Sequence, residues 1–311
     1  MQLLQRVFDE NFQGGGPGAP AQREAQPAGA VHNPHEPQAQ WAAKGQGKHK
    51  KEHVGYKIQV AESVTTEPLA PGEPTRSFLT GMATQAASAS DEAGAGQIEQ
   101  EQAAMGLDPP AEQYVDSAYI SGQRLAQAKA QGRELIGPAQ AAPRRDERFT
   151  SEDFQSNVEE RRATCPADKP STQCSRLEEK ESGKVSYRLE WSYHCKNCPL
   201  RAQCVGPGQA HRTLGVGQYH SHLQSRRQEQ KTEVFQEKCR QRNAIEGTQS
   251  ELVRAHGLRR ARYRGLDKVR LQNYFIGAAC NAKRWIRRIA WEMRQARIGA
   301  RGAPELALAG A

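Results

Sequence analysis

The sequence is poor in apolar residues and contains no long apolar run. Apolar residues make up 36 % of the 311 residues, aromatic residues 6 %, and the mean hydropathy is −0.84. A membrane-spanning helix needs about 18 or more consecutive apolar residues, so the sequence predicts no membrane partner. The first residues, MQLLQRVFDENF, carry acidic side chains where a secretion signal has its apolar centre, so we expect no secretion.

Positive charge is concentrated in one part of the chain. The net charge is +9, but residues 240–297 hold 15 Lys and Arg against 4 Asp and Glu, so the rest of the chain is slightly acidic. Such a local excess is typical of polyanion binding. Because no long amphipathic Leu/Trp face accompanies the start of this block, nucleic acid is favoured over a membrane surface. The alternative is a solvated helix face.

The cysteines form a second concentration. The chain has seven, and five of them fall between residues 165 and 204. In a chain without an export signal, this grouping favours metal binding over disulfides. Four thiolates would close a tetrahedral structural Zn²⁺ site, in which Cys174 or His194 could replace one ligand. The alternative is a set of reduced thiols. The candidate zinc ligands are Cys165, Cys195, Cys198 and Cys204.

Composition and periodicity divide the chain into segments. Gly, Pro and Ala dominate the stretch from Gly14 to Pro20, which therefore buries too little apolar surface to fold. Apolar and polar residues alternate in HVGYKIQVAE, as in a half-buried strand, and a second strand is expected at RSFLTGMATQ. We predict a mostly disordered linker over 1–52, the first part of an α/β domain over 53–140, a Cys-rich insertion over 141–220, a helical part with basic helices over 221–297 and a tail over 298–311.

A strand–helix–strand unit is expected next. The segment EQYVDSAYI reads as a short strand that ends at Asp116, and RELIGP reads as a second, buried strand. Between them, Ser121 can cap a helix that Gly132 terminates. Ligands and catalytic groups collect at the carboxyl ends of strands in open α/β sheets. Asp116 is therefore placed where a functional carboxylate would be expected.

A second carboxylate lies on a predicted helix. We expect one long helix from about Ser221 to Ala255, closed by Gly257, with Arg242 one turn before Glu246 on the same face. A strand-end carboxylate and a helix carboxylate can share divalent cations, and two such ions can activate a water and stabilise a leaving oxygen.

The basic block continues into a second predicted helix, from about Asp267 to Arg297. Its aromatic residues Tyr274, Phe275, Trp285 and Trp291 have helical spacing with isoleucines, which predicts core packing. Clustered basic side chains beside the carboxylates would hold DNA phosphates. The candidate DNA-binding residues are Arg254, Arg259, Arg260, Arg262, Arg264, Lys268 and Arg270.

Three segments, taken in their order along the chain, carry a resemblance to a known family. They are YVDSAYISGQRLAQAKAQGRELIGP, CPADKPSTQCSR…HCKNCPLRAQC and RNAIEGTQSELVRAHGLRRARYRGLDKVRLQNYFIGAACN. Together they resemble the carboxyl-terminal two-thirds of bacterial insertion-sequence transposases of the DDE class. The resemblance implies an RNase H-like mixed sheet with helices, interrupted by the small Cys-rich insertion. By position, Asp116 matches the second catalytic Asp, Glu246 the catalytic Glu, and Arg242 an arginine that supports it.

The activity implied by the resemblance is cleavage and joining of DNA at element ends. The implied cofactor is a pair of Mg²⁺ ions, for which Mn²⁺ can substitute, held in part by Asp116 and Glu246. The implied partners are terminal inverted repeats, target DNA and further copies of the chain. The implied location is the bacterial cytoplasm, in association with the nucleoid.

The sequence departs from the family at three functional positions. The family's Tyr and Lys around the catalytic Glu are replaced by Cys239 and Val253. For the first catalytic Asp, residues 1–52 offer only Asp9, and Asp91 lies past the second predicted strand. We therefore expect the first Asp to be absent and the chain to begin after it. The alternative function is a non-catalytic DNA-binding or inhibitory partner module derived from a transposase.

Overall fold

The computed structural model describes residues 2–13, 20–23, 29–44, 48, 50–65, 67–144 and 146–302. They form two compact units. The first unit combines Met1–Pro109 with Asn243–Ala311, and the second is Pro110–Arg242. Helices and small sheets occur in the described parts of the chain, which confirms the mixed α/β class.

The amino-terminal part of the first unit combines helices with antiparallel strands. Its elements are α1 (Gln2–Asn11), β1 (Phe12–Gln13), β2 (Ala21–Gln22), β3 (Gln40–Lys44), β4 (Lys51–Glu62), β5 (Leu79–Ala86) and α2 (Asp91–Ala104).

The second unit alternates short strands and helices. Its elements are β6 (Glu112–Tyr114), α3 (Gly122–Ala130), β7 (Glu134–Ile136), β8 (Gln155–Asn157), β9 (Arg162–Thr164), β10 (Gln173–Glu178), β11 (Val185–Glu190), α4 (Arg201–Cys204), β12 (Thr213–Gly217), α5 (His220–Glu229) and α6 (Glu233–Cys239), with 3₁₀ turns at Ser117–Tyr119 and Ser151–Asp153.

The chain then passes through a 3₁₀ turn at Arg240–Asn243 and returns to the first unit with α7 (Ala244–His256) and α8 (Leu266–Gly302). None of the helices in the described ranges combines the length and the apolar character that crossing a membrane requires.

The strands predicted from alternation are present. β4 pairs antiparallel with β3 on one side and with β5 on the other. Ile58 and Val60, two apolar positions of the alternating pattern, pack against the buried side chains of Met82, Leu252 and Cys280. In the second unit, β6 and β7 form the predicted parallel pair around α3, and β11 forms the centre of the sheet β10–β11–β12.

The predicted linker needs a correction. Ala30 and Val31 are buried, and β3 pairs with β4. Glu36 accepts hydrogen bonds from the hydroxyl of Tyr56 and the backbone N–H of Gly265. Strand pairing and these hydrogen bonds order a polar segment that has little apolar surface of its own. The remainder of the linker prediction, such as residues 14–19, lies outside the described ranges.

The predicted long helix is also wrong, since it is divided into α5, α6 and α7. The hydroxyl of Thr232 caps α6 by accepting from the N–H of Phe235. Its own N–H donates to the carbonyl of Glu229 at the end of α5. A capping threonine thus ends one helix and starts the next. The predicted end of α7 is confirmed, because Gly257 adopts a left-handed conformation with φ of +70°.

The prediction for the aromatic residues of α8 is wrong for three of them. Phe275 is 68 % exposed, Trp285 is 59 % exposed and Tyr274 is 36 % exposed. The buried face of the helix instead carries Asn273, Cys280 and Arg284. The helical period was correct, but polar partners on β5 and α7 select a different face of α8. For example, Asn273 donates a hydrogen bond of 2.9 Å to the hydroxyl of Thr84.

Candidate carboxylate site and DNA interface

Asp116 lies two residues after the end of β6, at the carboxyl end of the parallel pair. It caps the 3₁₀ turn Ser117–Tyr119, and its Oδ1 accepts a hydrogen bond of 2.7 Å from the N–H of Ser117. The next helix, α3, begins at the predicted cap, where Ser121 accepts from the N–H of Arg124. Local capping thus fixes the position of the Asp116 carboxylate.

One oxygen of Asp116 is left open. Arg242 donates to the same Oδ1 at 2.9 Å, so both hydrogen bonds converge on one atom. Within the part of the chain that the structure describes, Oδ2 has no partner, and the side chain is 64 % exposed. An exposed ion pair contributes little stability, about 0–1 kcal/mol. The carboxylate is therefore oriented by its neighbours while one oxygen remains able to accept a cation.

Glu246 lies in the first turn of α7, where the helix dipole favours an anion. Its side chain is exposed, and among the described residues it has no hydrogen bond or ion pair. Arg242 is not on this helix, because the 3₁₀ turn Arg240–Asn243 precedes it. The role of Arg242 in supporting Glu246 stays a prediction. Asp116 belongs to the second unit and Glu246 to the first.

Two basic side chains that the sequence did not single out hold the strand pair that carries Asp116. Lys238 on α6 forms ion pairs with Glu112 on β6 at 2.8 Å and Glu134 on β7 at 2.6 Å. Hydrogen bonds to these two carboxylates raise the pKa of Lys238. Arg226 on α5 is buried and donates to the carbonyls of Leu135 and Gly137. No short-range sequence pattern connects either residue to the strands.

The candidate DNA-binding side chains concentrate on the segment between α7 and α8, residues 257–265, which we term the basic loop. The hydroxyl-bearing ring of Tyr263, beside them, is also exposed. In the described structure the basic side chains of this loop form no ion pair with a carboxylate, and they are exposed. They are Arg259, Arg260, Arg262 and Arg264.

The backbone of the basic loop is held by polar side chains from outside it. Buried Gln272 accepts from the N–H of Arg262 at 2.8 Å and donates to the carbonyl of Arg260 at 2.7 Å. Glu36 accepts from the N–H of Gly265 at 2.9 Å, and Gln38 accepts from that of Leu266 at 2.7 Å. The loop is fixed before any ligand binds, which lowers the entropy lost on binding.

The remaining candidate DNA contacts flank the loop. Arg254 on α7 and Lys268 on α8 are exposed and form no ion pair in the described ranges. Arg270 is half-buried and lies 3.5 Å from Asp267, so it is partly neutralised. Arg254 and Lys268 extend the positive surface of the loop, and Arg270 contributes less to it.

The four candidate zinc ligands line one small cavity in the second unit. Cys165, Cys195, Cys198 and Cys204 all contribute to its wall, together with His194. Burial raises the pKa of the Cys204 thiol to about 11, and the three other thiols act in the same direction. Cys174 lies on β10 opposite Leu189, outside this wall.

A buried polar cluster between α7 and α8 was missed by the sequence analysis. Arg284 donates to Glu251 and Glu62, and also to the hydroxyl of Thr248. Burial alone would raise the pKa of Glu251, but the hydrogen bonds from Arg284 outweigh it, so this pKa lies below its ordinary value.

Ligand atoms of Glu251, His256 and Cys280 in this cluster lie within 4.8 Å of one another. The guanidinium of Arg284 already neutralises Glu251 and would repel a further cation. The arrangement therefore suits an ion-pair cluster that holds α7 and α8 together better than a metal site. We term this cluster the buried lock.

Comparison with known proteins finds a similarity to one family in part of this chain. Residues 164–286 match the family model described as the transposase DDE domain. The matched stretch is less than half of the chain; it includes the four cysteines, Arg242, Glu246 and the basic loop. Neither the curated proteins nor the solved structures contain a match. Residues 164–286 are therefore similar to a transposase DDE domain, and over this stretch the match supports the resemblance to DDE-class transposases.

Proposed function

We propose that the chain is a DDE transposase that cleaves and transfers DNA strands at the ends of an insertion element. The observation that carries this proposal is the match to the transposase DDE domain, because it covers both Glu246 and the basic loop. DNA is accordingly the substrate, as terminal inverted repeats and as target. We further propose that copies of the chain assemble on the DNA, in the bacterial cytoplasm.

Asp116 and Glu246 are the carboxylates that we assign to metal binding. Each is exposed, and each has at least one carboxylate oxygen without a partner among the described residues. Carboxylate oxygens are the ligands that Mg²⁺ prefers. Two Mg²⁺ ions, for which Mn²⁺ can substitute, would supply an activated nucleophile and charge stabilisation at the leaving oxygen. Arg242 keeps Oδ1 of Asp116 engaged and so orients its other oxygen.

The reaction requires no nucleophile from the protein. The oxygen of a water attacks the phosphorus at the element end, the bond from phosphorus to the 3′ oxygen breaks, and that oxygen leaves as a 3′-hydroxyl. This hydroxyl then attacks a target phosphodiester, joins to its phosphorus and displaces a second 3′ oxygen. The guanidinium groups of the basic loop hold the flanking phosphates throughout. An RNase H-like sheet and the insertion over 141–220 are part of this proposal.

The proposal is tested with labelled duplexes that contain the terminal repeats flanking the coding region. With Mg²⁺ present, we expect nicked and strand-transfer products from the unaltered chain. Asp116→Asn and Glu246→Gln should each abolish both products while leaving DNA binding, measured in Ca²⁺, unchanged. Glu92→Gln is the matched control, because Glu92 is also an exposed acidic residue in the first turn of a helix.

A non-catalytic module is the second candidate, and the positions of two other aspartates favour it. Asp9 lies on α1 and accepts from Gln5, and Asp91 begins α2, 3.2 Å from the ammonium of Lys57. Neither aspartate is on a strand, where the family's first catalytic Asp would be. If the unaltered chain binds the duplex but yields no product with either Mg²⁺ or Mn²⁺, this second function replaces the first. Inhibition of an active transposase by added chain would then support the partner role.

A further inference from the structure

The four cysteines that line the cavity of the second unit come from three separate segments of the chain. Cys165 follows β9 at the start of a tight turn, closed by hydrogen bonds between its own backbone and Asp168 and Lys169. Cys195 and Cys198 lie in the turns after β11, and Cys204 ends α4. Two turns and a short helix thus bring thiols from positions up to 39 residues apart to one cavity.

The size of this cavity limits what could occupy it. Its volume is about 20 Å³, and holding a single water requires about 10–15 Å³. The space therefore suits one atom-sized occupant and excludes an organic substrate. Cys195 and Cys204 are buried, whereas Cys165 and Cys198 are partly buried, so the site is closed to bulk solvent on one side.

The backbone around the thiols is braced by two arginines. Arg201 donates to the carbonyls of Cys195 and Ala210, both at 2.9 Å, and Arg212 donates to the carbonyl of Cys204 at 3.1 Å. The N–H of Arg212 also lies 3.4 Å from Sγ of Cys195. Hydrogen bonds of this kind orient first-shell ligands in metal sites.

Charge in the cavity wall also favours a thiolate site. Lys169, Arg201 and Arg212 all contribute to the wall, and the hydrogen bonds of the two arginines go to neutral carbonyl oxygens. A divalent ion bound by four thiolates carries a net charge of about −2. The three basic side chains are placed to offset that charge.

We propose that Cys165, Cys195, Cys198 and Cys204 bind one Zn²⁺ ion in a closed, structural site. Among the described residues, no three of these sulfurs lie within 4.8 Å of one another. Because a Zn–S bond is about 2.3 Å long, coordination must draw the sulfurs inward. Among the described residues of the wall, His194 is the further side chain that could act as a zinc ligand. The site stabilises the second unit and takes no part in DNA cleavage.

Metal content of the full-length chain tests the proposal directly. The chain, purified under reducing conditions without chelator, should contain about one zinc per molecule by mass spectrometry. Replacement of zinc by Co²⁺ should give the intense visible absorption of tetrahedral thiolate-bound cobalt. Cys198→Ser should lower the zinc content at least about tenfold, whereas Cys198→His should retain most of it, because histidine is also a zinc ligand.

Cys174→Ser is the matched control, since Cys174 packs on the same hydrophobic core but not on the cavity wall. It should keep the full zinc content. A reduced, folded chain that takes up no zinc and gives no tetrahedral cobalt spectrum would overturn the proposal. Equal loss of zinc in Cys174→Ser and Cys198→Ser would overturn the ligand assignment. The cobalt spectrum of the unaltered chain remains decisive if the variants do not fold.

Discussion

Two groups of arginines in the first unit have opposite surroundings. Arg284 on α8 is 4 % exposed and is bonded to two carboxylates, Glu62 and Glu251. The basic loop carries arginines that lie 20 to 25 residues before Arg284; they are exposed and, in the described structure, have no carboxylate partner. Arginine thus forms buried ion pairs in one place and an exposed cationic surface in the other. The two groups share a residue type, so their surroundings decide whether an arginine stabilises the fold or is free to contact a ligand.

The most direct test of this comparison is to replace the buried arginine. Arg284→Met leaves the Glu62 and Glu251 carboxylates without their partner, and breaking a buried pair in this way costs about 3–5 kcal/mol. We therefore expect a large loss in the free energy of unfolding, measured by urea titration of the full chain. Arg287→Met is the matched control on the same helix, because its side chain is 57 % exposed and its ion pair with Glu251 is long, at 3.8 Å; it should cost less than about 1 kcal/mol. Equal losses in the two variants would contradict the buried lock.

Replacing the arginines of the basic loop should weaken DNA binding and leave the free energy of unfolding almost unchanged. Changing Arg259, Arg260, Arg262 and Arg264 to Gln removes up to four phosphate contacts, so the slope of log affinity against log salt should fall by about 3–4. DNA affinity at low salt should drop on the order of 100-fold, with little change in unfolding. Fluorescence anisotropy with a labelled duplex across a salt series measures both quantities. An unchanged slope would show that these side chains do not neutralise phosphates.

The smallest expected effect is the pH dependence of the buried lock. The pKa of Glu251 is lower in the folded chain than its ordinary value. The unfolded state therefore binds the proton more readily, and the stabilisation is present above the ordinary pKa of a glutamate, about 4.3. It should be lost as the pH falls from that value through the lowered pKa.

Urea titrations between about pH 5 and pH 3 would detect this loss as a decrease in unfolding free energy. Arg284→Met should show a smaller decrease over the same interval, because the hydrogen bonds that lower the pKa are gone. The control Arg287→Met should follow the unaltered chain. Identical pH profiles in all three proteins would assign the dependence to other groups.

Much of the local structure was predictable from the sequence. Alternation identified β4, a strand was expected where β5 lies, and the caps Ser121 and Gly257 fixed one end of α3 and one end of α7. The grouping of four cysteines around one cavity follows the spacing that suggested a metal site. These features depend on a few neighbouring residues, whose preferences act over one or two turns of helix or one strand.

The wrong prediction for α8 shows that a short-range pattern can identify a helix without identifying its buried face. Its helical period was evident, but Phe275 and Trp285 are exposed while Asn273 and Arg284 are buried. The buried face was selected by Thr84, more than 180 residues away in sequence, and by the carboxylates around Arg284. Hydrophobicity alone could not reveal these polar partners.

The sequence by itself determined strands β4 to β7, one cap each of α3 and α7, the positive charge of the basic loop and the set of candidate ligands, because each depends on short-range pattern and charge. The tertiary structure alone decided that Arg242 hydrogen-bonds Asp116, that Lys238 ties β6 to β7 and that Arg284 is locked between two carboxylates. These pairings join residues that are far apart in sequence. Long-range packing sets which of the many possible ionic partners meet, and no local preference encodes that choice.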